Sequence, residues 1–339
     1  MQRTIYFDYL RVIACFSVIV LHVSAQQLFG YEVPTFDWHV MNVYDSATRF
    51  CVPIFLMISG ALFLDPAKNL SLHKLYTRNI LRILTALMFW SLIYACYSHS
   101  QNGATSILTY FLCGHFHMWF LWLIIGLYML VPILRLIARN IWVMRYFLIL
   151  SILFGFVIPF ILDLVKIFFP ILTSIAVIIE MCYKNMHLQM LSCYTSYFVL
   201  GYYLNMVFRG RKVENTLIAL GFLAVILVAL FTYISFCISG VTREIFYKND
   251  SLLILLESVS VFLLFKKTAR VELKIIKTLS DNSFGIYLVH MFVYYVLGFT
   301  ATTINPIIGI PLISLLIFVV SYLIILLLSW VPILSKWVI

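Results

Sequence analysis

Two residues inside an apolar stretch near the start of the chain, Arg11 and His22, can do chemistry. An ionisable group in hydrocarbon costs several kcal/mol, so it is a functional candidate by default. His22 follows Arg11 by eleven residues. At about 100° per residue this is close to three full turns, so one helix carries both on one face, roughly 16 Å apart. Asp8 stands one turn before Arg11 and is placed to pair with it. A guanidinium suits an anionic ligand, and an imidazole moves protons near neutral pH. The spacing therefore predicts a polar groove along one helix, with an anion at one end and acid–base chemistry at the other. The competing account is structural: one snorkelling arginine and one buried, hydrogen-bonded histidine.

Four later segments carry further candidates. Arg78 and Arg82 are four residues apart and share a helix face with Lys74 nearby, a cationic cluster whose planar guanidiniums suit phosphate. Ordinary loop charge explains the same residues. Ser59 precedes Gly60 in Phe55-Leu-Met-Ile-Ser-Gly-Ala-Leu-Phe63, where the glycine permits close helix approach and the serine offers a hydroxyl. Ser283, Tyr287 and His290 follow i, i+4, i+7 spacing and face one way. They are either a functional stripe or an interhelical hydrogen-bond seam. His115 and His117 precede Trp119 and Trp122, which read as interfacial anchors. No third ligand accompanies the two histidines, so no metal is expected. Glu257 within a later apolar run is either a proton-coupling group or a paired structural acid.

The elements that hold these residues follow from composition. Of 339 residues, 64% are hydrophobic and 11% are charged. Soluble domains carry roughly 25% charged residues, so lipid is the solvent that fits. A span needs about 20 apolar residues. The expected fold is all-α: a polytopic transmembrane helical bundle of about ten spans forming one domain over residues 1–339, with both termini cytoplasmic. The expected spans are Phe7–Phe29, Asp45–Leu64, Asn79–His99, Met118–Ala138, Tyr146–Asp163, Leu188–Phe208, Asn215–Cys237, Asp250–Phe265, Asn282–Thr303 and Gly309–Val331.

The net charge of +10 sits mainly in short loops on one side, including Lys68, Arg135, Arg209 and Lys266. The positive-inside rule explains it, and nucleic acid is not an expected partner. Segment Leu164–His187 contains Lys166, Pro170, Glu180 and Lys184, and reads as an interfacial or re-entrant piece rather than an eleventh span. The N-terminal pattern of Arg3, an apolar run and Val23-Ser24-Ala25 resembles a signal peptide. Asp8, Arg11 and His22 interrupt it, so an uncleaved first helix is expected. The seven cysteines include no CxxC pair and are expected to be small core residues. No internal repeat, Gly-rich phosphate loop or zincin helix is present.

In order along the chain, these motifs resemble the membrane-bound acyltransferase-3 family. Phe7-Asp8-Tyr9-Leu10-Arg11, ten residues and His22 look like its Arg–His signature. Ser59-Gly60, Arg78 with Arg82, His117-Met-Trp119 and Ser283 to His290 look like its later motifs. Length and wording are similar to its stand-alone members that O-acetylate bacterial surface polysaccharides such as enterobacterial common antigen. The resemblance implies a bacterial plasma-membrane enzyme with acetyl-CoA as cytoplasmic co-substrate and a glycan or lipid-linked saccharide hydroxyl as acceptor outside. No tightly bound cofactor is implied. Arg11, Lys74, Arg78 and Arg82 are then expected at CoA, and His22 as general base, with Asp8, Ser59, His117, Ser283, Tyr287, His290 and Glu257 in support. A covalent acyl-histidine is the alternative to direct transfer. A homo-oligomer is left open. A transporter or polysaccharide exporter is the main rival, although no paired halves are visible. A non-catalytic scaffold is the second.

Overall fold

The computed structural model describes residues 3–102, 107–188, 193–302 and 304–339. Among them every regular element is helical. In order these are α1 (Ile5–Leu28), α2 (Phe36–Ser46), α3 (Cys51–Phe63), α4 (Leu72–Lys74), α5 (Leu81–Asn102), α6 (Ile107–Cys113), α7 (Trp119–Arg139), α8 (Ile141–Ile152), α9 (Ile158–Phe168), α10 (Thr173–Asn185), α11 (Tyr194–Tyr202), α12 (Arg211–Ser239), α13 (Leu252–Thr268), α14 (Lys274–Leu297), α15 (Pro306–Leu328) and α16 (Pro332–Trp337).

Seven helical segments among the described residues are long and apolar enough to cross a bilayer: Ile5–Leu28, Phe36–Phe63, Leu72–Gln101, Ile107–Arg139, Ile141–Phe168, Arg211–Ser239 and Pro306–Leu328. The chain is thus a multi-pass membrane protein by length and composition. The other three expected spans coincide with α11, α13 and α14. The first two are short, at 9 and 17 residues. Helix α14 is long but carries Asp281, Asn282, Ser283 and His290. The expected start of the sixth span crosses residues 189–192, and the ninth ends at Thr303; both lie outside the described residues.

Position in the bundle follows sidedness. In α1, 61% of the apolar stretch is buried, against 22% in α12. Helix α1 is therefore central, packed among α2, α3, α14 and α15, and α12 presents most of its surface outward. Helices in lipid gain little from apolar burial alone, so small residues that allow close packing matter more. Gly60 on α3 faces the backbone of α11: a Cβ there would lie 1.7 Å from the Phe198 carbonyl oxygen. Gly201 on α11 returns the contact, with its Cβ position 2.0 Å from the Met57 carbonyl oxygen. The close approach expected of Gly60 is present.

The second expected span is interrupted. Between α2 and α3 the chain turns through residues 47–50. Pro53 accounts for the break: it lacks an N–H, and its ring crowds the carbonyl four residues back, that of Arg49. Arg135 on α7 then fixes the exit of α3, donating to the carbonyls of Phe63 at 3.1 Å and Lys68 at 2.5 Å. A residue expected only as loop charge has a structural role.

Segment Leu164–His187 is a helical hairpin. Helix α9 ends at Phe168, Pro170 opens a short 3-10 turn, and α10 folds back. Thirteen residues rise about 20 Å, short of the roughly 30 Å hydrocarbon core, so α10 is too short to cross it alone. Lys166 reaches Glu180 at 2.5 Å, and Lys184 reaches it at 2.9 Å. The two ammonium groups hold the Glu180 carboxyl below its ordinary range. All seven cysteines are free. Only Cys15 and Cys51 are buried; Cys96, Cys113, Cys182 and Cys237 lie on the outer surface, so the expectation of core cysteines holds for two.

Candidate active site

Helices α1 and α14 run side by side in the same direction. Arg11 meets Ser280 at 3.5 Å, the Cys15 thiol donates to the Ser283 carbonyl at 3.4 Å, and the His22 ring stacks on the His290 ring. The polar face of α1 therefore lies in register with the Ser283–Tyr287–His290 stripe of α14. Two faces read separately in the sequence form one seam.

At the Arg11 end of this seam is a cavity of about 710 Å³. Arg11, Arg78, Arg82 and Lys336 line it, and no Asp or Glu does. Four cations around one space, without a lining carboxylate, make an anion site. The three arginines are each set by a local feature. Asp8 is buried and accepts from Arg3 at 2.5 and 2.8 Å and from Ser280 at 2.8 Å. Arg11 joins at a longer 3.3 Å, which leaves most of its five N–H donors for a ligand. A π-helical turn over Leu75–Ile80 precedes α5, widening the helix where Arg78 sits. Arg82 donates to the Ile339 backbone oxygen and lies 5.7 Å from the Phe284 ring centroid. Ser59 and Ser283 add hydroxyls to the wall.

At the other end is a cavity of about 300 Å³, lined by His22, Arg49, Phe116, His117, Trp119 and Glu244 among others. Here the structure assembles what the sequence leaves scattered. The rings of His22 and His290 stack at 5.4 Å, His290 and His117 meet edge to face at 5.2 Å, and His117 approaches His115 at 4.9 Å. His290 Nδ1 lies 2.5 Å from the Tyr287 carbonyl oxygen. A carbonyl only accepts, so that nitrogen carries the proton and Nε2 keeps a lone pair. His115 and His117 share a 2.7 Å Nδ1–Nδ1 contact, so one donates and the other accepts. The Nε2 atoms of His117 and His290 are buried without a hydrogen-bond partner among the described residues. The cluster thus offers imidazole nitrogens beside His22. Among the described residues no group of three or more His, Cys, Asp or Glu is arranged to hold a metal ion.

Behind this cavity is a polar group in which only Glu257 is among the expected site residues. Arg49 is paired with buried Asp45, its guanidinium lies 4.4 Å from the Tyr247 ring centroid, and the Tyr247 hydroxyl donates to Asn42 at 2.5 Å. Glu257 is buried, its two oxygens without a hydrogen-bond partner among the described residues, and lies within electrostatic reach of Arg49 and Asp45. The i, i+4 spacing of Asp45 and Arg49 at the head of an apolar run is the signal that could have found the pair.

The expected residues therefore divide. Asp8, Arg11, Ser59, Arg78, Arg82 and Ser283 gather at or behind the larger cavity. His22, His117 and His290 gather at the smaller, and Tyr287 lines both. Lys74 is exposed on α4 and is not on the cavity wall; Glu257 belongs to the polar group behind the smaller cavity. Sequence reading passed over Phe120, Tyr128 and Lys336 as wall residues.

A search of curated proteins and a search of solved structures each found no match. A family model described as an acyltransferase domain, of the acyltransferase-3 type, matches residues 4–331. That is nearly the whole chain, and it contains the smaller cavity and all of the larger but the part of its wall from Ser335, Lys336 and Trp337: this protein belongs to the acyltransferase-3 family.

Proposed function

We propose that the protein moves an acetyl group from cytoplasmic acetyl-CoA to a hydroxyl of a cell-surface or lipid-linked glycan at the outer face of a bacterial plasma membrane. The observation that carries this reading is the pairing of a cationic cavity and a histidine cavity along the α1–α14 seam. CoA is a long, thin molecule with phosphates at one end and a thioester at the other. The phosphates fit Arg11, Arg78 and Arg82, and His22 stands roughly 16 Å further along the helix. Loop charge gives the orientation, with the arginine cavity inside.

In this reading the acceptor hydroxyl gives its proton to His22 as its oxygen attacks the thioester carbon. The C–S bond breaks, and the CoA thiolate leaves and takes the proton from the imidazolium. His290, stacked on His22, keeps the ring in place, and Asp8 aims Arg11.

Membranes containing the protein, given acetyl-labelled acetyl-CoA, are expected to put label into glycan as an alkali-labile ester. Mass spectrometry of surface glycans with and without the protein is expected to differ by acetyl. Glycan crossing the membrane with no acetyl gained would favour export instead. Arg11→Ala is expected to weaken CoA affinity by about tenfold to a hundredfold, the loss of one or two charge-assisted hydrogen bonds. Folding is expected to survive, because Asp8 keeps Arg3 and Ser280. Unchanged CoA affinity contradicts Arg11 as a phosphate ligand.

A further inference from the structure

The two cavities share two lining residues, Phe120 on α7 and Tyr287 on α14. Their rings meet edge to face at 5.9 Å. Tyr287 is fixed, since its hydroxyl donates to the His117 carbonyl. Phe120 is held by ring contacts, with Phe55 at 6.0 Å on the side of the larger cavity and Trp119 at 6.4 Å. Every cation credited with donor binding lies on one side of this pair, and His22 lies on the other.

We propose that the Phe120–Tyr287 pair is a partition that sets the size of the acyl group, and that Phe120 is its specificity-determining residue. This rests on the acyl-transfer reading of the same site. A donor held by its phosphates in the larger cavity reaches His22 only by passing these rings. The space beyond them is the smaller one, at about 300 Å³ against about 710 Å³. A two-carbon acyl group fits such a passage; each added methylene must displace the Phe120 ring. Until the acyl group passes them, the same rings keep the thioester apart from water in the smaller cavity. If that water attacks the thioester carbon, a C–O bond forms and the C–S bond breaks. His22 takes one proton of that water and passes it to the leaving thiolate, and the acetic acid formed loses its own proton to bulk water. The partition limits this loss.

Phe120→Ala removes the ring and joins the two volumes. The test uses the purified full chain with acetyl-CoA or butyryl-CoA, following release of free CoA thiol without acceptor. Acyl incorporation into glycan is followed in native membranes. The variant is expected to raise acceptor-independent release of CoA. It is also expected to raise the butyryl-to-acetyl rate ratio by at least about 10-fold, since one methylene in an apolar pocket commands about 10- to 200-fold and butyryl carries two more than acetyl. Phe120→Val, a smaller change, is expected to move both readouts in the same direction, and it decides the matter if the alanine variant does not fold. A ratio and a release rate that match the wild type, in a protein that still acetylates glycan, overturn the partition and leave the transfer reading standing. A wild type that moves no acetyl group overturns both.

Discussion

Replacing His22 with alanine is expected to abolish acyl transfer and leave donor binding in place. General-base catalysis contributes about 10²- to 10⁴-fold, and His22 is the imidazole on α1 that lines the smaller cavity. His117 lines that cavity as well, and His290 stacks on His22. Neither is equivalent. His290 is not on the cavity wall, and the free Nε2 atoms of His290 and His117 are both buried. The variant loses a side chain that borders a cavity and breaks no hydrogen-bonded helix contact among the described residues, so it is expected to fold. CoA affinity measured on the purified variant separates the two effects: near wild-type binding with transfer reduced at least about a hundredfold fits a catalytic role. Retained transfer sinks the assignment of His22 as base.

Gly60 carries the second large effect, on stability. An alanine there would place its Cβ 1.7 Å from the Phe198 carbonyl oxygen, far inside van der Waals contact, and the atom it meets is backbone. Helix α11 must move away, and with it the reciprocal fit of Gly201 against Met57. Overpacking of this kind costs about 1–3 kcal/mol and sometimes more. Gly60→Ala is therefore expected to lower Tm in detergent, and Gly60→Leu to prevent accumulation of folded protein. Since Phe55, Ile58, Ser59 and Leu62 on the same helix line the arginine cavity, the alanine variant is also expected to bind CoA less well at a temperature where it stays folded. A Tm equal to that of the wild type contradicts the close crossing.

These two residues also show what could be read without coordinates. The all-helical fold, the shared face of Arg11 and His22, the stripe from Ser283 to His290 and the small-residue contact at Gly60 are local properties. Each follows from helical periodicity or side-chain size within one segment. The meeting of His22 with His117 and His290 is not local. It depends on the register between α1 and α14, more than 250 residues apart, and no period in the sequence encodes that register. The partition of Phe120 and Tyr287 was hidden for the same reason, and because a phenylalanine in an apolar run carries no signal. Lys74 was misjudged in the other direction. Nearness in sequence to Arg78 suggested a shared site, but Arg78 lies within the π-helical turn while Lys74 stands just before it, on the surface and off the cavity wall. The break at Pro53 was readable, and with it the pair Asp45–Arg49; counting 45–64 as one continuous span concealed both.

The central claim is that one end of the α1–α14 seam takes the donor and the other end performs the transfer, so that the acetyl group crosses the bilayer within the protein. Sealed vesicles of known orientation test this directly, with labelled acetyl-CoA supplied only on the side of the arginine cavity and the natural glycan acceptor enclosed on the other. Label recovered as ester on the enclosed glycan, with the CoA remaining on the side where it was added, is the expected result. Label appearing only when acetyl-CoA and acceptor share one side would contradict the account.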